Sequence, residues 1–262
     1  MPRALWTAAA GMNAQQLHVD LIANNIANVN TTGFKRQRAD FQDLYYDIQQ
    51  QPGARIGQQG RQPTGTQIGT GVVISGTTRV FTAGNIEPTG RPLDVAIEGD
   101  GFFQVQRPDG SVAYTRAGDF RIDAEGRLVT ADGYFIQPAI TVPDGASENA
   151  VFIAPDGTVT VTIDGAETVL GQISLARFRN PGGLLAVGRN LFEATEASGA
   201  AVVGNPTEPG FGSLRHAALE KANVEAVTEL VNLIMAQRAY DLNSKSITTA
   251  DQMLRTANDL VR

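Results

Sequence analysis

Cysteine is absent from this 262-residue chain. That excludes disulfides, thiolate nucleophiles and cysteine metal ligands, and it suits a chain that meets an oxidising space without staples. Aromatic residues are scarce, at 6%. No apolar run reaches the roughly 18 residues of a membrane-spanning helix. Basic residues are outnumbered, 21 Lys+Arg against 27 Asp+Glu, for a net charge of -6. A nucleic-acid partner would favour the opposite balance. The N-terminal stretch "ALWTAAAGM" follows a single Arg3 and is broken by Thr7 and Gly11, so no cleaved signal peptide is expected.

Catalytic residue patterns are missing too. His18 and His216 are the only histidines, and no acid lies one helical turn from His18 to share a metal. There is no nucleophile elbow, phosphate-binding loop or dinucleotide fingerprint. "EGDGFF" from Glu98 lacks the alternating oxygen ligands of a calcium loop and reads as a turn. Glu98 and Asp100 have nothing beside them to place a substrate. Neither an enzyme nor a metal or cofactor site is expected.

What is present divides into zones. Residues 4–30 have helical periodicity: Leu5, Met12, Val19 and Ile26 recur every seven, with Ala8, Gln15, Ile22 and Val29 on a companion line. Two such lines form the seam of a coiled coil. The opposite side carries Trp6, Ala10, Asn13, Leu17, Leu21, Asn24 and Asn28, where a surface helix would place Lys, Glu and Arg. A second helix is expected over about 221–261. Leu233, Tyr240, Ile247, Leu254 and Val261 make one line, and Ala236, Asn243, Ala250 and Ala257 the other. Ser213 or Asn223 is placed to cap its start, and Glu220, Glu225 and Glu229 suit its N-terminal half.

Between the helices, 28 glycines and 12 prolines punctuate the chain in the manner of many short strands. "TVTVTI" alternates, Asp164-Gly165 marks a tight turn, and "PDG", "AEG" and "ADG" triplets mark others. This zone reads as an antiparallel barrel or sandwich. Residues 50–70 are rich in Gln and Gly and hold too little apolar surface to fold alone. The plain reading is a flexible linker. The sharper one is an arm, disordered in a dilute monomer, that becomes ordered against neighbouring subunits.

The helices decide the function class. If they only zip against each other, Trp6, Leu17 and Leu21 stay in water, forfeiting roughly 1.5–3 kcal/mol each. A membrane cannot satisfy Asn13, Gln15, Gln16, Asp20, Asn24, Asn25 and Asn28. The remaining host is protein, so copies of the chain or related subunits are expected to bury both helices. Amides are cheaper than charges in such a core and can fix register. Asn28 and Asn30 also stand where the helix should end. The candidate assembly residues are Leu5, Met12, Leu17, Val19, Leu21, Ile22, Asn24, Asn25, Ile26 and Asn28 at the N-terminus. At the C-terminus they are Leu233, Ala236, Tyr240, Asn243, Ile247, Leu254 and Val261.

"LWTAAAGMNAQQLHVDLIANNIANVNTTGFKR" resembles the N-terminal signature of the bacterial flagellar rod and hook family, and "NVEAVTELVNLIMAQRAYDLNSKSITTADQMLRTANDL" the C-terminal one. "RPLDVAIEGDGFFQV" and "YTRAGDFRIDAEGRLVTADGYFI" are similar to the shared central region. The length and "FQDLYYDIQQQPGA…QIGTGV" look like the family's distal rod members. The resemblance implies a structural subunit that stacks helically into a hollow, rigid drive shaft in the basal body across the periplasm. Such a shaft carries torque from motor to hook and passes exported subunits, and a type III export route fits the weak start. Implied partners are further copies, proximal rod proteins, hook protein, and the peptidoglycan and outer-membrane ring proteins, with no nucleic acid and no membrane insertion.

The expected fold is α+β, with long terminal helices in a coiled-coil-like layer and an inserted antiparallel β-domain. The expected boundaries are 1–30 with 217–262 for the helical part, 31–70 for the arm and 71–216 for the β part. Another rod or hook-basal-body subunit is the near alternative. A secreted β-fold carbohydrate-binding module or carbohydrate-active enzyme is the distant one.

Overall fold

The computed structural model describes every residue except 1, 54, 57–59, 62, 144–145, 147, 164–165 and 261–262. The expected Asp164-Gly165 turn and Val261 therefore lie outside the described residues. The fold is α+β, with terminal helices flanking a region of antiparallel sheets. It divides into two compact units. One comprises Met1–Ile26, Gln37–Thr78 and Glu225–Arg262; the other comprises Ala27–Arg36 and Arg79–Val224.

The first unit is built on α1 (Pro2–Ala27). Proline in its first turn lacks only an N–H that would be unpaired there, and an alanine-rich body carries the helix onward. It stops at Asn28: the Thr31 N–H donates to the Asn28 carbonyl at 3.0 Å and the Thr31 hydroxyl to Oδ1 at 3.2 Å. The chain then forms β1 (Gln37–Asp43), β2 (Tyr46–Gln50), β3 (Arg55–Ile56), β4 (Gly60–Arg61), β5 (Thr66–Gly69) and β6 (Val72–Arg79). The pairs β1·β6, β2·β5 and β3·β4 are three two-stranded sheets nested in sequence, referred to below as the ribbon. The described part of the Gln/Gly segment is its outer half. Main-chain ladder bonds do not depend on apolar side chains, so poor composition did not prevent pairing. The unit closes with α2 (Ala226–Leu260).

The second unit holds β7 (Ile86–Pro88), β8 (Val95–Glu98), β9 (Phe102–Gln106), β10 (Val112–Thr115), β11 (Arg121–Ile122), β12 (Leu128–Val129) and β13 (Phe135–Gln137). It continues with β14 (Val151–Ile153), β15 (Thr158–Ile163), β16 (Ala166–Gln172), β17 (Leu175–Arg177), β18 (Leu185–Gly188) and β19 (Leu191–Glu193). Last come β20 (Val202–Gly204), β21 (Ser213–His216) and β22 (Ala218–Glu220). A nine-stranded sheet runs β11-β12-β13-β9-β10-β19-β18, with β17 on β9 and β20 on β17. β14-β15-β16 form a three-stranded sheet, and β8·β21 and β7·β22 pair separately. Four of the expected triplets turn where glycine takes positive φ, at Gly110, Gly126, Gly133 and Gly157, and the one beginning at Pro143 runs into residues outside the described ones. On β9, period-two alternation sends Phe103 into the main aliphatic core and Phe102 into an aromatic cluster with Tyr114, Phe178 and Phe192.

Three charged side chains are buried beside that core. Lys35 Nζ lies 2.6 Å from Glu220 Oε1 and donates also to the Thr82 carbonyl at 2.7 Å. The Gly84 N–H donates to the same carboxylate oxygen at 2.8 Å. Arg116 Nε sits 3.3 Å from Glu220 Oε2, an ion-pair distance without hydrogen-bond alignment, while its other nitrogens donate to the Gly99 and Gly101 carbonyls. Burial pushes the Lys35 ammonium below its usual range, with Glu220 opposing, and burial also lowers Arg116. The carboxylate between them offsets the cost of burying both cations.

This cluster corrects the sequence reading twice. Glu220 is not a helix N-terminal acid but the last residue of a buried strand. Asn223 caps nothing: its amide donates to the Val80 and Thr82 carbonyls, and its oxygen accepts the Arg36 N–H at 2.7 Å. Ser213 lies in β21, and α2 begins only at Ala226. A residue placed to cap from sequence spacing has instead found unpaired main chain across the fold.

Lys35→Met removes one partner and leaves Glu220 buried with too little compensation. It should lower unfolding stability by about 3–5 kcal/mol, read as a reduced urea midpoint with unchanged slope.

Candidate assembly surface

The surface begins with the run Ala8–Gly11. These side chains are small enough for other elements of the unit to come close to α1. A Cβ on Gly11 would lie 2.9 Å from Asn243 Nδ2, so the α2 amide rests directly against this glycine. Further along, Gln16 and Val19 face Gln237, Tyr240 and Asp241 across a gap of about 410 Å³. Residue 11 against 243 and residues 16–19 against 237–241 run in opposite directions, so the helices approach antiparallel.

The ribbon takes another side of α1. A Cβ on Gly71 would stand 3.2 Å from Ala10 Cβ. Thr7 Oγ1 donates to the Thr70 carbonyl at 3.3 Å, Arg3 pairs with Asp47, and His18 meets Phe41 edge to face at 5.4 Å. Asn25 is buried, and its amide closes a two-bond ring with Gln37. Nδ2 donates to the Gln37 carbonyl at 2.8 Å, and the Gln37 N–H donates to Oδ1 at 2.9 Å. A shallow apolar groove of about 420 Å³ remains between Asn13 and Leu17 on the helix and Leu44 and Val72–Ile74 on the ribbon.

These contacts revise the expectation that other subunits alone cover the far side of α1. Leu21, assigned there, is buried together with Ile22 and Asn25 within the subunit. Ribbon contacts 12 to 63 residues away in sequence take that surface, and helical periodicity cannot register them. The strip that does face water is Trp6, Asn13, Leu17, Asp20 and Asn24. Trp6 is 76% exposed, and Asp20 is its one formal charge. The amides left open by the sequence thus split: Asn25 and Asn28 work inside the fold, and Asn24 lies on the outer strip.

Of the other candidates, Leu5, Met12, Val19, Ile26, Leu233, Asn243, Ile247 and Leu254 are half-buried. Ala236 is buried and Tyr240 is 39% exposed. The α2 seam inferred from sevenfold spacing is therefore mostly turned inward.

Sequence reasoning missed the opposite side of α2. Val227, Leu230, Val231, Ile234, Met235 and Leu242 are all exposed, Val227 by 70% and Leu242 by 67%. At 100° per residue they make one stripe facing away from Ala236 and Ala250. The signal was present as a second apolar line at i, i+3, i+4, i+7 and i+8. It was overlooked because the sevenfold line beside it already accounted for a helix. Arg238, Asp241 and Lys245 fall on the same face towards its C-terminal end, so the stripe is continuously apolar from Val227 to Met235 and mixed beyond it.

The family model "Flagella basal body rod protein" matches residues 5–35, "Flagellar hook protein FlgE/F/G D1 domain" residues 96–161, and "Flagellar basal body rod FlgEFG protein C-terminal" residues 215–260. The first and last cover most of the two helices. The chain is 48% identical to the flagellar basal-body rod protein FlgG of Borreliella burgdorferi, over 100% of both chains. It is 50% identical to the FlgG of Caulobacter vibrioides, over 98% of this chain and 99% of that one. To the FlgG of Buchnera aphidicola subsp. Baizongia pistaciae it is 48% identical, over 96% and 97%.

Asn25→Ala removes both hydrogen bonds that the buried amide makes to the Gln37 main chain. It should destabilise the helical unit by about 1–3 kcal/mol, and hydrogen exchange at the Gln37 amide should accelerate well ahead of exchange in the second unit.

Proposed function

Since this chain belongs to the FlgG family of flagellar basal-body rod proteins, we propose that its exposed apolar helix faces are the surfaces through which copies stack into a hollow shaft. The protein is a structural rod subunit of the flagellar basal body, whose rod spans the periplasm. Among the described residues, no helix is long and apolar enough to cross a membrane.

The observation that carries the mechanism is the stripe Val227, Leu230, Val231, Ile234, Met235 and Leu242, left in water by its own chain. Burying one such side chain contributes about 1.5–3 kcal/mol. A contact repeated along a helical polymer multiplies that gain at every subunit, and a heterologous contact of this kind propagates rather than closes. The same stripe meeting the Trp6–Leu17 strip of a neighbour gives a coiled-coil-like layer. Small residues such as Ala8 and Gly11 keep each subunit's own helix pair thin, and stiffness follows from close packing of many such pairs. The Gln/Gly ribbon has exposed Tyr45 and Tyr46 at its inner end, which suits a strap laid against neighbours to remove slack. Torque passes along the shaft, and its lumen passes exported subunits. The ends of the shaft meet proximal rod proteins and hook protein, and its outside meets the ring proteins of the peptidoglycan and outer membrane. The match to a domain shared with hook protein supports the hook contact.

The experiment is a pair of single substitutions on the stripe, Leu230→Asp and Ile234→Asp. Neither side chain is part of the intramolecular core, so thermal melting of the monomer should stay within a degree or two. The concentration at which filaments form should rise by about ten- to a hundredfold, followed by sedimentation and negative-stain microscopy. Assembly at the unsubstituted concentration would overturn the role given to the stripe.

A further inference from the structure

The second unit has a cavity of about 570 Å³ that the rod function does not explain. Its floor is aromatic: Phe81, Phe102 and Phe178, with ring centroids 5.4 Å and 5.8 Å apart along the chain of contacts. Its rim is basic. Arg177 and Arg179 are exposed, and Arg179 holds no hydrogen bond or ion pair among the described residues. Arg177 packs against Gly210 and over the Phe211 ring, which fixes its direction but leaves its carboxylate-binding fork without an anion. Arg116 lies beneath, its donors committed to Gly99, Gly101 and Glu220. Asp100 is the one acid in the lining. A chain with net charge -6 thus has a basic rim on an apolar hollow.

One wall of this hollow is an open sheet edge. β20 pairs only with β17 among the described residues, in the register Arg177↔Val202 and Ala176↔Val203. Val202 and Val203 are both more than half exposed. No charge, proline or bulge protects this edge, although such protection is usual where pairing is unwanted. A second open edge lies on the three-stranded sheet, where β16 carries Glu167 and a register shift between its pairings at Val169 and Gly171. β16 pairs only with β15 among the described residues, with Glu167↔Thr162 and Val169↔Thr160. Glu167 and Val169 are two residues apart and so share a face. Both are exposed, Val169 by 64%, and Glu167 holds no hydrogen bond or ion pair among the described residues.

The geometry points to a strand-to-strand contact between copies: β16 of one subunit adds to the β20 edge of the next. Glu167 then meets the Arg177–Arg179 rim, and Val169 covers Val202. The two edges complement each other in charge, acid against arginine, and in apolar content, valine against valine. The contact is heterologous, because β16 and β20 are different edges of one chain, so it propagates along a polymer rather than closing a pair. Main-chain ladder bonds supply attachment, and the Glu–Arg pairing sets register and selects the correct edge. This inference rests on the reading of the chain as a self-assembling subunit, and it adds a second, polar contact to the apolar helical one.

Charge exchange tests it. Glu167→Arg and Arg179→Glu each place like charges across the contact and should raise the concentration needed for filaments by about tenfold. The double variant Glu167→Arg/Arg179→Glu restores opposite charges and should return that concentration to within about threefold of the unsubstituted protein. Melting of each monomer serves as the folding control, since neither side chain has a hydrogen bond or ion pair to lose among the described residues. Single variants that assemble normally, or a double variant no better than the singles, would overturn this contact while leaving the helix stripe standing. Failure of the unsubstituted protein to form filaments at any concentration would overturn both. A second readout uses the absence of native cysteine. In the variant Val169→Cys/Val202→Cys, mild oxidation should give a ladder of cross-linked multimers in filaments and only monomer in dilute solution.

Discussion

The carboxylate of Glu220 is the point on which the second unit's closure depends. It lies 185 residues from Lys35 in the chain, yet the two side chains touch with no exposure to water. Lys35 belongs to the segment leaving α1, Glu220 to the strand before α2, and Arg116 to the sheet core. A desolvated lysine is unstable alone, and so is a desolvated arginine. One acid accepting both, with Gly84 donating to it as well, makes each burial conditional on the others. The segments on either side of the inserted β region are therefore held by charge pairing that fails as a whole if one member is lost. Asn223 repeats the logic without charge, joining Arg36 to Val80 and Thr82 by its amide.

In the first unit the governing term is apolar area. The chain meets part of its own need: α2 lies on the alanine and glycine side of α1, and the ribbon covers another side through Asn25, His18 and Gly71. What remains is the Val227–Leu242 stripe and the strip from Trp6 to Asn24. A monomer that leaves these in water is a subunit waiting for copies. The composition of α1 follows. Charge on such faces would have to be paired or stripped of water at each contact, whereas asparagine and glutamine can stand in water before assembly and in a protein contact after it.

Much of this was legible beforehand, because it depends on local chemistry. The periodicity of α1 and α2, the turn triplets ending on Gly110, Gly126, Gly133 and Gly157, the end of α1 at Asn28 and the flagellar signatures at both ends are all written within short windows of sequence. The failures share a cause. Glu220 looked like a helix-start acid and Asn223 like a cap because the sequence offers only neighbours as partners. Leu21 looked exposed because periodicity divides a helix into faces without saying how many the rest of the chain will cover.

The sequence by itself determined which segments are helical, where the strands turn, and that the N-terminal helix has too little charge for an ordinary wet surface. These follow from dihedral preferences, side-chain period and solvation, which act over a few residues. Only the tertiary structure decided which faces stay open. It turned the sevenfold seam of α2 inward, exposed Val227 to Leu242, hid Asn25 against Gln37, and joined Lys35, Arg116 and Glu220. Those outcomes depend on contacts between residues far apart in the chain, where each burial competes with every other for the same limited interior.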